Sequence, residues 1–217
     1  RYVILENRVD SLLKNTLPEA VAEEIKYEGK FSPRSYECTI LFSDFVGFTR
    51  LAENISREIL LNTLDNIFTE FDLIVDHYKG TKIKTIGDAY MCAGGIVQNF
   101  KTHVFDILQA AWEIKLFMEK ERAQRLSKGQ SCWNIRIGVH TGPLMAGVIG
   151  KRKFAFDVWG DTVNIASRLE SSSEPGKINI SEDVYQGIQN KYHCTYRGKI
   201  DIKNRGVIDM YFVDNPK

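Results

Sequence analysis

Two aspartates stand where a chain could hold a divalent cation against phosphate. Asp44 ends the run Tyr36-Glu37-Cys38-Thr39-Ile40-Leu41-Phe42-Ser43, whose alternating and β-branched residues predict a strand running into the interior. Asp88 sits at the turn of Thr81-Lys82-Ile83-Lys84-Thr85-Ile86-Gly87-Asp88-Ala89-Tyr90-Met91, which predicts strand, tight turn, strand. A carboxylate at the end of a buried strand is unfavourable unless something cationic meets it. If the two strands are neighbours, both aspartates share one sheet edge, and a divalent metal that bridges them to phosphate relieves their repulsion. Directly after Asp44, Val46-Gly47-Phe48-Thr49 offers a small residue and several backbone N–H groups ahead of a helix, a cradle of the kind that takes phosphate oxygens. Each aspartate alone also has a plainer reading: Asp44 as a helix cap, Asp88 as part of a Gly-Asp turn.

The elements that must position these residues follow from spacing. Ile59, Leu60, Leu64, Ile67, Phe68, Phe71, Ile74, Val75 and Tyr78 recur at helical intervals, which predicts a helix over 56–78 with Ser56 as its N-cap. The hairpin that carries Asp88 follows. A second long helix is expected over 102–126, with Val104, Ile107, Leu108, Ala111, Ile114 and Met118 on one face. The strand 133–140 leads into Gly142-Pro143-Leu144-Met145-Ala146-Gly147-Val148-Ile149-Gly150. Gly142 and Gly147 have P-loop spacing, but Val148 stands where lysine is required, so the segment reads as a second hairpin. A strand over 154–160 runs into a helix over 161–171, and the remainder alternates strands (178–180, 193–202, 207–213) with a helix over 181–190. Strand, helix, hairpin, helix, strand is the order of a βαββαβ split sheet. The expected fold class is therefore α+β, an α/β sandwich whose ferredoxin-like antiparallel sheet carries both long helices on one face, with additional C-terminal strands.

Upstream, Leu5, Val9 and Leu12 have coiled-coil spacing, and the same stripe could instead pack on the chain's own body. Pro18 opens a short helix with early acidic residues, and 29–35 reads as a linker. The expected division is a helical linker or transducer segment over 1–34 and a catalytic domain over 35–217.

The two aspartate stretches closely resemble the two metal-binding motifs of class III nucleotidyl cyclases, the adenylyl and guanylyl cyclase catalytic domains. The likeness runs from about Leu13 to Phe212. It implies that Asp44 and Asp88 hold two Mg²⁺ or Mn²⁺ ions per active site. It further implies that Phe45, Gly47, Phe48 and Thr49 cradle phosphates, and that Arg136 and Lys203 hold the β- and γ-phosphates. Asn164 and Arg168, four residues apart and so on one helix face, match the residues that orient the ribose and stabilise charge developing at the α-phosphate. Lys84 and Asp157 match the positions that read the base. Lysine and aspartate there are the adenylyl pattern, whereas guanylyl cyclases carry glutamate at the first position. The chemistry agrees, because adenine offers an acceptor at N1 and a donor at its 6-amino group, complementary to an ammonium and a carboxylate.

The resemblance thus implies an adenylyl cyclase that converts ATP to 3′,5′-cyclic AMP and pyrophosphate, with a guanylyl cyclase or a catalytically silent dimerisation module as the alternatives. It implies a head-to-tail homodimer with shared sites, in which Asp44, Asp88 and Arg136 come from one chain and Lys84, Asp157, Asn164, Arg168 and Lys203 from the other. One departure stands out: Lys203-Asn204-Arg205-Gly206 replaces the family's usual Lys-Gly-Lys-Gly, with Asn204 in place of a glycine.

Composition is that of an ordinary globular domain of 217 residues, 43% hydrophobic and 26% charged. A formal net charge of +1 gives no bulk drive towards nucleic acid or an anionic membrane, and there is no basic track for a template. Cys38, Cys92, Cys132 and Cys194 lack ligand spacing and read as reduced core residues. His140 reads as a strand-end packing or hydrogen-bonding residue. No apolar run reaches bilayer length, and the chain opens at Arg1 without a methionine. These features lead us to expect a cytoplasmic fragment of a longer protein, whose upstream regulatory or sensor region, and any membrane attachment, lie outside it.

Overall fold

The computed structural model describes residues 11–96, 101–150, 154–202 and 206–217. Lys203, and the stripe positions Leu5 and Val9, lie outside the described residues. Leu12, the third member of that stripe, is 66% exposed.

Strand β1 (Arg34–Phe45) is the centre of the sheet, and its residues 38–43 are all buried. A continuous buried run, rather than an alternating one, means that both faces of the strand are covered. Leu41 and Phe45 point into one cluster, Cys38, Ile40 and Phe42 into another. On one side β1 pairs antiparallel with β3 (Ala89–Gly94), which is joined by a tight turn to the edge strand β2 (Thr81–Ile86). On the other it pairs antiparallel with β4 (Ile135–Ile149) along its whole length, from Arg34 opposite Ala146 to Phe45 opposite Ile135. The order β2-β3-β1-β4 is that of the expected ferredoxin-like sheet, and it is extended through β6 (Ile178–Ser181), β8 (Gly206–Pro216) and β7 (Tyr192–Ile202). The junction of β4 with β6 is parallel, so the complete sheet is mixed.

The first cluster lies under two long helices. Helix α3 (Arg57–His77) begins where Ser56 Oγ accepts the Ile59 N–H at 3.3 Å, and it buries Thr63, Ile67, Phe71 and Val75 at four-residue steps. Helix α4 (His103–Ser127) buries Ile107, Leu108, Ala111, Ile114 and Met118 beside it. The opposite face is covered by α1 (Glu19–Glu28), through Val21 and Ala22 with Leu17 and Phe31, and by α5 (Asp161–Ser171) through Ala166. A short α2 (Phe48–Glu53) follows β1, and α6 (Glu182–Ile188) follows β6. His140 is buried and hydrogen-bonds as expected, with Nδ1 2.7 Å from Ser181 Oγ, but it stands within β4 and not at a strand end. Cys38 and Cys92 are buried; Cys132 and Cys194 are partly so. Among the described residues no helix is long and apolar enough to cross a membrane.

One sequence expectation is corrected. The chain does not turn at Gly142; β4 continues to Ile149 and only then folds back onto β5 (Ala155–Trp159). Pro143 is tolerated because it lies opposite Glu37 of β1 in the gap between the β6 and β5 pairings. Its missing N–H therefore interrupts no ladder on that side, where its carbonyl accepts from Thr162 Oγ1 at 2.6 Å.

The seat of α5 on β4 depends on Gly138. A Cβ there would lie 2.1 Å from the Glu170 nitrogen and 2.6 Å from the Ala166 carbonyl oxygen. Backbone cannot yield as a side-chain tip can. Gly138→Ala is expected to lower the unfolding free energy by about 3 kcal/mol, measured by chemical denaturation.

Candidate active site

Sheet register builds the first half of the site. Asp44 lies directly opposite Arg136, with Nη2 3.5 Å from Asp44 Oδ2. The pairing of Ser43 with Tyr90 brings the turn of the β2–β3 hairpin alongside, so that the Asp88 carboxyl lies beside that of Asp44. Burial first, and then the neighbouring Asp44, push the Asp88 carboxyl up to about 6. The two aspartates singled out in the sequence are thus neighbours, and Arg136 is the cation beside them.

A third carboxyl joins them that the sequence reading missed. Glu170, at the end of α5 and 7% exposed, accepts from Arg136 Nε at 3.0 Å. Burial pushes it up to about 7 against the pull of Arg136, with Asp44 and Asp88 adding to the rise. A signal was present: Thr162, Ala166 and Glu170 fall four residues apart, so the glutamate continues a core-facing stripe. A carboxyl on a buried stripe must have a partner.

The loop after Asp44 is propped from beneath. The rings of Phe45 and Phe48 both pack edge-on against Trp133, with centroids 5.1 and 5.9 Å away. Their side chains therefore support the loop, and backbone is what they leave for a ligand. The Val46 N–H is already used, donating to the Asn134 carbonyl at 2.8 Å. Gly47 has φ +70, the left-handed conformation that lets the chain enter α2 directly. The N–H groups of Phe48 and Thr49, in the first turn of α2, have no intrahelical acceptor.

The second half lies apart. Lys84 on β2 and Asp157 on β5 form an ion pair, Nζ to Oδ2, at 2.5 Å, and the other oxygen of Asp157 accepts the Val158 N–H at 2.8 Å. Asn164 and Arg168 are exposed on α5, and neither side chain has a partner among the described residues. Arg168 precedes Glu170 by two positions, about 200° around the helix. With Glu170 facing β4, Arg168 faces away from the carboxylates of its own chain.

The profile described as the adenylate and guanylate cyclase catalytic domain matches residues 31–215. The chain belongs to this family. This cyclase domain is 35% identical over 209 residues to an adenylate cyclase of Mycobacterium tuberculosis, covering 95% of this chain and 46% of that protein. It is 38% identical over 222 aligned positions to human guanylyl cyclase C, covering all of this chain and 20% of that protein. The solved structure of the adenylyl cyclase CyaB from P. aeruginosa superposes with a TM-score of 0.81 at 31% identity, covering 86% of this chain and 98% of that one. The cyclase domain spans about half the length of the mycobacterial relative and a fifth of the human one.

Both raised carboxyls bind protons more tightly in the folded than in the unfolded chain. Their contribution to stability is complete below the unfolded values, 3.8 for Asp88 and 4.5 for Glu170, and is lost as pH rises through about 6 and about 7. In metal-free protein, Asp88→Asn should therefore remove a downward slope in the denaturation midpoint across the lower window, and Glu170→Gln across the upper one. Parallel wild-type and variant curves would contradict the burial of these groups.

Proposed function

We propose that the cyclase domain converts ATP to 3′,5′-cyclic AMP and pyrophosphate, by in-line attack of the ribose 3′-hydroxyl on the α-phosphorus, at sites shared across a head-to-tail homodimer. The Lys84–Asp157 ion pair carries the choice of base. An ammonium and a carboxylate held side by side present one donor and one acceptor, complementary to adenine N1 and its 6-amino group. Guanine offers N1–H and a 2-amino group, two donors, where Lys84 has only donors to give.

Asp44 and Asp88 fit a divalent metal. Their carboxyls crowd one another with Arg136 as the adjacent cation. Two carboxylates completed by substrate phosphates are the donor set that Mg²⁺ and Mn²⁺ accept. Such ions, two per site, would supply charge neutralisation at the triphosphate and acidity at the 3′-hydroxyl. Arg136 would hold β- and γ-phosphate oxygens, with Lys203 from the partner. The N–H groups of Phe48 and Thr49, released from the Gly47 turn, take further phosphate oxygens. Phe45 holds the start of that turn in place through its ring on Trp133.

Asn164 and Arg168 face away from their own chain's carboxylates, which supports a site completed by a second copy. There Asn164 would orient the ribose and Arg168 would meet charge developing at the α-phosphate. The pyrophosphate needs no covalent acceptor on the protein, since the nucleophile belongs to the substrate.

Product analysis with ATP and with GTP, each with Mn²⁺ and with Mg²⁺, tests the base choice. Cyclic AMP should dominate, and Lys84→Glu should reduce its formation by about 100-fold, the loss of a charge-assisted bond set against a second carboxylate. Cyclic GMP as the main wild-type product would overturn the assignment. Shared sites make a separate prediction. Asp44→Asn and Arg168→Ala should each be inactive, and their equimolar mixture should recover about a quarter of wild-type activity, because half the dimers are mixed and each holds one intact site. An inactive mixture of folded, dimeric chains would exclude the shared arrangement.

A further inference from the structure

Arg136 has two carboxylates to choose between, and they hold it differently. The Nη2 contact with Asp44, at 3.5 Å, is an ion pair without hydrogen-bond geometry. The Nε contact with Glu170, at 3.0 Å, is a hydrogen bond to a buried group. A guanidinium is planar with five donors, so gripping it at Nε sets its plane and leaves the two Nη groups free to turn to another anion.

The fold makes this grip possible by a specific device. Arg136 and Gly138 are two apart on β4 and so project from the same face of the sheet, the face that Asp44 also shares through its pairing with Arg136. Because Gly138 has no Cβ, the α5 backbone at Ala166 and Glu170 comes down onto that face, and the Glu170 carboxyl arrives beside Arg136. Glu170 meets neither Asp44 nor Asp88 through a hydrogen bond among the described residues, and it lies too deep to meet a nucleotide itself.

We propose that Glu170 is a positioning residue for the cyclase reaction: it holds Arg136 at Nε, fixing the guanidinium for the polyphosphate of the substrate and keeping it from closing onto Asp44. The inference rests on the reading of Arg136 as a phosphate ligand. Without Glu170, Arg136 is free to pair bidentately with Asp44 in the unbound site, so that an entering nucleotide must first displace that pair, which weakens binding and leaves the bound complex intact.

The test uses the homodimer, with three readouts: kcat and KM for ATP, affinity for 3′-deoxy-ATP by calorimetry, and the thermal unfolding midpoint. Glu170→Ala should raise KM and weaken 3′-deoxy-ATP by about tenfold each, with kcat changed by less than about threefold, the pattern of a lost binding contact. Glu170→Gln keeps an acceptor for Nε and should restore most of the affinity. The decisive comparison is the double variant. On an Arg136→Gln background, which should itself weaken 3′-deoxy-ATP, Glu170→Ala should cause no further loss, since Glu170 acts only through Arg136. A further tenfold loss there, or equal KM defects in the Ala and Gln variants, would overturn the proposal. An Arg136→Gln chain with unchanged affinity would instead remove the phosphate reading on which it rests. Folding is controlled independently, because a native Glu170→Ala chain must still donate its Arg168 face and rescue Arg168→Ala in a mixture. Failure of that rescue would assign Glu170 a structural role and overturn the proposal.

Discussion

Three carboxyls and one guanidinium meet at the seam between β1 and β4, and their charges cannot all be satisfied by one another. Asp44 and Arg136 face across the ladder, Asp88 arrives on the hairpin turn, and Glu170 stands behind. Partly removed from water, such a group relaxes either by taking up protons or by taking up a cation. The upward shifts of Asp88 and Glu170 express the first course in the free chain. A divalent cation entering a site with this imbalance would gain more than it would from a neutralised cluster.

Much of the surrounding structure is needed to keep that cluster in place. A strand covered on both faces holds its register firmly, because a slip by one residue would exchange the two clusters into which Leu41 and Ile40 point. The aromatic contacts of Phe45, Phe48 and Trp133 fix the chain just beyond Asp44, where a loop would otherwise be free to move the carboxylate. Gly138 brings α5 close enough for its last turn to take part. That same helix turns Asn164 and Arg168 outward, so one element serves the carboxylates on its inner face and presents different chemistry on its outer one. A helix cannot direct residues 168 and 170 to one point, and this geometric limit is what the proposed second copy would overcome.

Much of this was legible in the sequence because it rests on periodicity and on local chemistry. The cap at Ser56, the four-residue stripe of α3 and the Gly87-Asp88 turn are each decided within a few residues, and the βαββαβ order follows from them. What could not be read depends on contacts distant in sequence. Gly142-Pro143 has the local chemistry of a turn, and only the absence of a sheet neighbour on one side of Pro143 allows the strand to pass through. The capture of the Val46 N–H by Asn134 joins segments some ninety positions apart. Glu170 was readable in part, as a charge on a buried stripe, but its partner Arg136 is 34 residues away and is found only once the sheet is assembled.

On the proposed reading of Lys84 and Asp157 as the groups that meet the base, their pairing would bear on selectivity in a way that a solvated lysine would not. Each member is partly exposed, so the pair itself adds little to stability. Its effect is on the unbound state: with both groups already satisfied, an entering base must replace an existing ion pair and not merely water. A base that offers an acceptor to Lys84 and a donor to Asp157 replaces both interactions at once. One that turns a donor to Lys84 and an acceptor to Asp157, as guanine N1–H and O6 would in the same pose, leaves both groups without a partner, and the loss of an existing charge-assisted bond weighs more against it than a missed opportunity would. Discrimination on this account comes from what the wrong base breaks, and it requires that the two side chains meet before any nucleotide arrives, as they do here.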